Sequence, residues 1–253
     1  MSSGSPFAIA AFWCQKAGNA VEEYEDAWSV RRVGETAGCR VAIADGATET
    51  SYSKIWATLL VESYLRDSVT GPEFFDRLEA ARRLWRQRAF RNTRPLPWYA
   101  AEKAKQGAFA TFLGFELNVA GKVWRAVAIG DSCMFQLDAA KQEMRVVQAF
   151  PLSRSTEFGT SPYLVGSNPE GAATVGAHAE VCQGSLRRDD LMLFATDALS
   201  AWLLRREEDG APAWKEACES IAEQSDFEVF VQRARDDGMR NDDVTLLRVT
   251  FRG

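Results

Sequence analysis

Four short apolar segments carry an aspartate at one end, and this pattern constrains the fold more than any other feature of the chain. Asp45 follows VAIA, Asp131 follows VAIG, Asp197 follows LMLFAT, and Asp242 lies just before VTLLRV. Short apolar runs that are bounded by polar residues or glycine are typical of buried strands. The sequence therefore predicts four buried strands whose ends carry carboxylates.

The order of the other segments indicates the fold class. Strand-like runs come first (FAIAAFW, DAWSVRRV and CRVAIAD), helix-like runs such as SKIWATLLVESYLRDSV occupy the middle, and DVTLLRVTF returns to a strand pattern. Gly130-Asp131-Ser132 predicts a hairpin between two strands. These patterns predict an α+β layered domain rather than a doubly wound sheet. Because no linker rich in Gly, Ser or Pro divides the chain, we expect one domain over residues 1–253.

Charge and cysteine content argue against several classes of function. The formal net charge of −5 is unlike the basic excess of nucleic-acid-binding proteins. The 5 cysteines are odd in number and include no CxxC pair, so neither a disulfide framework nor a thiolate zinc site is expected. PFAIAAFWC lacks a basic leader and is interpreted as a first strand, and no run approaches the roughly 20 apolar residues that span a bilayer. We therefore expect a cytoplasmic protein with no nucleic-acid or membrane partner.

The acids at the strand ends have two possible interpretations, as turn residues or as metal ligands. A single aspartate at a strand end is usually a turn or capping residue. Carboxylates on neighbouring strand ends, however, converge in space, where uncompensated like charges are costly. Divalent cations relieve that cost and prefer oxygen ligands, including backbone carbonyls, which Gly46 would allow to approach an ion closely. The pattern, with Glu25 and Asp26 at the start of a further strand, indicates a metal site, and turn residues in an unrelated α+β domain are the alternative.

Five of these segments, taken together, resemble the motifs of a known family. In chain order they are YEDAW at Glu25-Asp26, IADGA at Asp45-Gly46, IGDSC at Asp131, ATDAL at Asp197 and NDDVTLL at Asp242. This order and spacing resemble the metal-dependent protein phosphatases of the 2C class, in a divergent bacterial form. GAFAT at 107–111 loosely resembles a further strand entry of that family.

The resemblance implies a fold and a metal centre. The implied fold is a four-layer α-β-β-α sandwich, with two antiparallel sheets packed face to face and helix pairs outside. Two divalent metal ions, Mn²⁺ or Mg²⁺, would lie at one edge of the sandwich. In the roles that the resemblance implies, Asp45 bridges both ions and the Gly46 carbonyl binds one of them. Asp197 and Asp242 complete the coordination of the other ion, and Asp131 and Asp197 hold a weaker third ion. Glu25 and Asp26 hold metal-bound waters.

The resemblance also implies an activity. It is that of a metal-dependent serine/threonine phosphoprotein phosphatase, a phosphoric monoester hydrolase in which metal-activated water attacks the phosphate ester directly. Asp45, Asp131 and Asp197 would be the catalytic residues. The implied partners are a phosphoserine or phosphothreonine protein and a cognate bacterial kinase. A non-catalytic phosphatase-like binding or regulatory module is the alternative, although every carboxylate of the motifs is retained.

The chain departs from the family pattern where substrate phosphate would bind. The arginine that the family places four residues before the acidic pair is Val21 here. Lys16, Arg31 and Arg32 are candidates to replace it, and the sequence does not choose between them. Asp243 takes the place of an asparagine and adds a further acid near the site.

His178 is the only histidine of the chain. Some family members have a histidine two residues after the bridging aspartate, a position that Ala47 occupies here. His178 is expected to lie on a strand, and it is remote in sequence from the strand-end aspartates. We therefore predict that it has no catalytic role.

Overall fold

The computed structural model describes residues 7–34, 38–47, 52–67, 69–90, 107–139, 144–159, 161–168, 175–187 and 189–251. The strands in these ranges are β1 Phe7–Cys14, β2 Ala27–Val33, β3 Gly38–Ala44, β4 Phe109–Ala110, β5 Phe112–Asn118, β6 Val123–Ile129, β7 Cys133–Asp138, β8 Arg145–Phe150, β9 Val165–Gly166, β10 Glu180–Ser185, β11 Asp190–Ala195 and β12 Val244–Phe251. The α-helices are α1 Ser53–Arg66, α2 Glu79–Ala89, α3 Asp197–Glu208, α4 Ala213–Glu219 and α5 Gln224–Asp236.

The strands form two large antiparallel sheets. The first sheet has the order β1-β12-β11-β7-β8, and the second has the order β10-β6-β5-β3-β2. Buried side chains from both sheets form one apolar layer, in which Val41 and Phe115 of the second sheet belong to the same cluster as Met192 and Leu247 of the first. The two sheets therefore pack face to face.

Helices cover both outer faces of this sandwich. Trp56 and Tyr64 of α1 share a buried cluster with Phe112 and Ile129 of the second sheet. On the other side, Leu203 of α3, with residues of α4 and α5, shares a cluster with strands of the first sheet. The layers therefore run helix, sheet, sheet, helix, which confirms the predicted α+β sandwich.

Strand β3 shows why its short apolar run folds in this way. Successive side chains of a strand point to opposite faces. Val41 and Ile43 belong to the layer between the sheets, whereas Ala42 and Ala44 belong to the cluster that contains α1. The small alanines allow the helix to approach the sheet, and burial of both faces explains why the run has no polar residue between Val41 and Ala44.

The hairpin predicted at Gly130-Asp131-Ser132 is wrong. β6 lies in the second sheet and β7 lies in the first, so these three residues carry the chain from one sheet to the other. Gly130 has a φ of +96°, and a Cβ at this position would lie 2.7 Å from the Thr111 side chain. A hairpin and a crossing between sheets both use a glycine of positive φ, so the sequence did not distinguish them. Asp131 consequently lies at the junction of the two sheets.

Two further findings concern the chain as a whole. All five cysteines are free thiols, as the sequence predicted. Among the described residues, none of the helices combines the length and the apolar character that crossing a membrane requires.

Candidate metal centre

The strand ends that carry aspartates meet at one edge of the sandwich. In the second sheet Ala27, the first residue of β2, is paired with Ala44, the last residue of β3. Asp26 directly precedes β2 and Asp45 directly follows β3, so the two aspartates lie at adjacent strand ends. In the first sheet Ala195 is paired with both Cys133 and Leu246. Asp197 follows β11, Asp242 precedes β12, and Asp131 precedes β7, so all three lie at the corresponding edge of that sheet.

Asp26 connects the two sheets at this edge. Its Oδ2 atom accepts hydrogen bonds from the Thr245 hydroxyl at 2.7 Å and from the Thr196 hydroxyl at 3.1 Å, both in the first sheet or next to it. The Tyr24 hydroxyl also contacts the Thr245 hydroxyl. Asp26 is only 3% exposed, so its carboxylate is held within the layer between the sheet edges.

The backbone around Asp45 and Gly46 is fixed by close contacts. Thr111 donates from its backbone N–H to the Asp45 carbonyl at 2.9 Å, and its hydroxyl accepts from the Asp45 N–H at 3.2 Å. Thr111 lies in GAFAT, the segment that loosely resembled a family strand entry. A Cβ on Gly46 would lie 2.9 Å from the Glu25 carbonyl oxygen and 3.1 Å from Ser53. Glycine at 46 is therefore required by the approach of the Glu25 segment and of α1.

The carboxylates at this edge influence one another strongly. Burial raises the pKa of Asp45 well above its ordinary value, and the charges of Asp26, Asp197, Asp242 and Asp131 raise it further. An electrostatic effect of this kind requires that the five groups share one neighbourhood. The structure thus brings together the strand-end acids that the sequence singled out.

Burial and nearby negative charges also raise the pKa values of the other acids at this edge. Burial, followed by the charges of Asp243 and Asp197, raises the pKa of Asp26. Burial and the Asp197 charge raise the pKa of Asp131 to about 7, although Arg240 opposes the shift. The edge therefore carries negative charge that is poorly compensated by the protein.

Two observations bear on whether a divalent cation fits here. Within the described ranges, no three His, Cys, Asp or Glu side chains are already arranged to hold a metal ion. The Oδ1 atoms of Asp26 and Asp131, however, are buried and accept no hydrogen bond from the described residues. Buried carboxylate oxygens without a donor are costly unless a cation satisfies them. The donor set therefore fits a divalent cation, provided that its side chains draw together around the ion.

Arg240 lies among these acids, and sequence reasoning missed it. Its Nη2 atom contacts Asp197 Oδ2 and lies 3.0 Å from Asp242 Oδ2. Burial disfavours the charged guanidinium, but the charges of Asp197, Asp242 and Asp45 outweigh burial and raise the pKa of Arg240. The only signal in the sequence is a basic residue two positions before Asp242 in MRNDD. Arg240 therefore occupies the point on which Asp197 Oδ2 and Asp242 Oδ2 converge.

Asp243, the acid in place of the family asparagine, has a structural contact. Its two oxygens accept the backbone N–H groups of Lys16 at 2.8 Å and of Glu25 at 2.6 Å. Ser53 in turn donates to the Glu25 carboxylate. Asp243 therefore positions the acidic pair Glu25-Asp26 relative to β12.

The candidates for phosphate binding occupy different places. Val21 is exposed and carries no charge. Arg31 donates to the Leu65 carbonyl at 2.8 Å, and Arg32 stacks over Phe7 at 4.7 Å, so both are used elsewhere along β2. Of the three residues proposed from the sequence, only Lys16 lies next to the site, through its contact with Asp243.

His178 lies near one of the acids, although it is remote from them in sequence. It ends a short 3₁₀ helix, Gly176–His178, and its ring stacks on Tyr163 with a centroid distance of 3.9 Å. His178 and Asp131 line the same cleft of about 360 Å³. The expected strand position of His178 is therefore wrong, whereas its lack of a catalytic role stays a prediction.

Solved structures of other proteins share this fold. The chain resembles the serine/threonine phosphatase Stp1 from Staphylococcus aureus, with a TM-score of 0.62 and 12% identity over 100% of this chain and 98% of that chain. It also resembles the serine/threonine phosphatase PstP/Ppp of Mycobacterium tuberculosis, with a TM-score of 0.55 and 15% identity over 98% and 99% of the two chains. RsbX in complex with magnesium has a TM-score of 0.51 and 14% identity over 97% and 96%. Identities this low establish the fold alone.

The family assignment comes from the sequence. No curated protein sequence matches the chain significantly. A model of the protein phosphatase 2C family, however, matches residues 21–236, which is most of the chain and includes Asp26, Asp45, Asp131 and Asp197 but not Asp242. The chain therefore belongs to the protein phosphatase 2C family.

Proposed function

We propose that this protein is a serine/threonine phosphoprotein phosphatase that depends on Mn²⁺ or Mg²⁺. The observation that carries the proposal is the set of buried and half-buried, mutually repelling carboxylates at one edge of the sandwich, with Asp45 at its centre. Membership of the family and the likeness to solved phosphatases support a protein phosphatase, and the magnesium in RsbX supports a divalent ion. The likeness to bacterial phosphatases also supports a bacterial type of phosphatase. We propose in addition that it acts in the cytoplasm beside a cognate kinase.

The residues of the chain have distinct roles in this proposal. Asp45, Gly46, Asp197 and Asp242 would hold two divalent ions, and Asp131 would hold a weaker third. Bound divalent ions supply a reactive water at neutral pH and offset charge on the phosphoryl oxygens. Asp26 and Glu25 orient water from the layer between the sheets, and the hydrogen bonds to Thr245 and Ser53 fix their directions. We further propose that residues 1–253 form a single domain.

A covalent mechanism with a cysteine nucleophile is not supported. Cys182 precedes Arg188 with the Cys-x5-Arg spacing of cysteine phosphatases. Cys182 lies within β10, however, paired with Ala126 in a regular edge strand. Burial raises the pKa of its thiol, which disfavours the thiolate that such a reaction requires.

The proposal is tested by hydrolysis of p-nitrophenyl phosphate and of a phosphothreonine peptide, with Mn²⁺, with Mg²⁺ and with chelator. We expect turnover with either ion and none in chelator. Asp45→Asn should abolish turnover, yet its melting temperature in chelator should equal or exceed that of the wild type, because one of the repelling charges is removed. Asp209→Asn, an exposed carboxylate beyond the end of α3, is the matched control and should keep full activity.

Two outcomes would decide against this proposal. Full turnover in chelator or in Asp45→Asn would exclude the metal mechanism. No turnover under any condition, together with a melting temperature that Mn²⁺ raises in the wild type alone, would favour the non-catalytic binding module.

A further inference from the structure

Arg240 occupies a position that a cation of the metal centre would need. Its Nη2 atom contacts Asp197 Oδ2 and lies 3.0 Å from Asp242 Oδ2. The proposed function assigns these same two carboxylates to one divalent ion. A guanidinium N–H and a divalent cation therefore compete for the same oxygen atoms.

The backbone on both sides of Arg240 is held in place. The Met239 N–H donates to the Ala234 carbonyl at 2.8 Å. The Asn241 side chain accepts from the Ala17 N–H at 2.8 Å and donates to the Ala17 carbonyl at 3.2 Å. Because the chain is fixed at both neighbours, any response of Arg240 to a bound ion must be a movement of its side chain alone.

The environment of Arg240 permits such a movement. Its side chain is 53% exposed, whereas that of Asp197 is 9% exposed. Solvent screens an ion pair with one partner this exposed, so the pair is weak. A pocket of about 300 Å³ adjoins Asp197 and Arg240, and Phe158, Trp202 and Met239 also line it. The guanidinium can therefore leave the carboxylates without leaving the mouth of the site.

The chemistry of the released side chain suits a phosphate ester. A guanidinium presents paired N–H donors that match two phosphate oxygens, with a fixed charge at every relevant pH. Val21, at the position where the family has its phosphate-binding arginine, is 49% exposed and offers no charge. Arg240 supplies, from the connection before β12, the group that the segment before β2 lacks.

We propose that Arg240 alternates between two partners. It pairs with Asp197 and Asp242 in the metal-free protein, and it binds the phosphate of the substrate once divalent ions have taken those carboxylates. The identity of the substrate group rests on the proposed function, whereas the competition with the ion does not. Loading with metal and capture of phosphate are then coupled through one side chain.

Isothermal titration calorimetry with Mn²⁺ on the full chain tests the first position. In Arg240→Gln the ion no longer has to displace a charge-assisted contact, so its Kd should fall by about tenfold. Arg233→Gln removes an exposed charge from α5 and is the matched control, with an unchanged Kd expected. Circular dichroism checks that both variants fold. An unchanged or higher Kd in Arg240→Gln would overturn the proposal, since it would mean that Arg240 supports the ion or ignores it.

Titration of the Mn²⁺-saturated proteins with inorganic phosphate tests the second position. Arg240→Gln should bind phosphate about tenfold more weakly than the wild type, and Arg240→Lys, which keeps the charge but loses the paired donors, should fall between them. Equal phosphate affinity in the wild type and in Arg240→Gln would overturn the proposal. Neither titration measures hydrolysis, so both results stand apart from whether the protein proves to be a phosphatase.

Discussion

At the scale of single residues, His178 shows how position alone can suggest a role. It lines the same cleft as Asp131, but its ring is stacked on Tyr163 and lies at the end of a 3₁₀ helix. Stacking fixes the imidazole against the cleft wall, and no described hydrogen bond connects it to the acids. The structure thus supports a structural role for His178 in the loop before β10.

This role gives a direct prediction for His178→Gln. We expect kcat to stay within about threefold of the wild type, because a true general acid contributes roughly 10²–10⁴-fold. The measurement is the Mn²⁺-dependent hydrolysis of p-nitrophenyl phosphate, with Mn²⁺ affinity as the control for an intact site. A hundredfold loss of kcat at unchanged Mn²⁺ affinity would show that the imidazole delivers the proton.

The candidate site was only partly predictable from single residues. Asp45, Asp131, Asp197 and Asp242 could be identified because each one follows or precedes a short apolar run, and strand ends of one sheet lie together. Arg240 could not, because a basic residue in a short connection has no pattern that distinguishes it from a solvated side chain. Only its contacts with Asp197 and Asp242 in the structure identify Arg240 as part of the candidate site.

At the scale of elements, the end of β3 and the start of α1 meet at Gly46. The Glu25 carbonyl and Ser53 both lie so close that a Cβ at this position would clash with backbone. A larger residue must push apart β3, the segment before β2 and α1. Those three elements position Asp45, Asp26 and Glu25.

Gly46→Ala should therefore destabilise the protein by about 1–3 kcal/mol, the usual cost of overpacking. It should also weaken Mn²⁺ binding, because the acids on the displaced elements move apart. Urea unfolding and calorimetry measure the two effects. Gly159→Ala is the matched control, since the nearest atom to its Cβ would lie 4.0 Å away, and it should be neutral. Equal stability of the two variants would contradict this account of Gly46.

Buried strands could be predicted from the sequence more easily than exposed strands. Strands with long apolar runs, such as β3 and β11, were recognisable because both of their faces are covered. β8 was missed because it is an edge strand with exposed polar residues, and its sequence resembles a loop. The crossing at Gly130 was misread as a hairpin because the local turn chemistry is the same, while the choice of sheet depends on partners distant in sequence.

At the scale of the whole molecule, the joined edges of the two sheets concentrate negative charge, which makes the free energy of folding less favourable. Asp131 has an ordinary pKa near 3.8 and a pKa of about 7 in the folded protein, chiefly because of burial and the Asp197 charge. A carboxyl whose pKa is raised by folding stabilises the protein fully below its unfolded pKa, and this contribution is lost as the pH rises through the folded value. The metal-free protein should accordingly lose stability between about pH 4 and pH 7.

The melting temperature of metal-stripped protein checks this prediction. It should fall between about pH 4 and pH 7, and saturating Mn²⁺ should suppress the fall by neutralising the carboxylates. Asp131→Asn removes one of the titrating groups, so its melting temperature should fall less over the same interval. A melting temperature that rises with pH, or the same slope in both proteins, would refute this account.

The pairing of β1 with β12 has a consequence for how the protein is made. Phe7 lies opposite Phe251, and β12 separates β1 from β11, so the first sheet joins residues from opposite ends of the described chain. Contacts this distant in sequence form late, and β1 leaves the ribosome long before β12 is translated. Until then Asp242 and Arg240 are missing from the site, and the edges of β1 and β11 are unpaired. A truncated translation product is therefore an aggregation-prone chain that lacks part of the candidate metal centre.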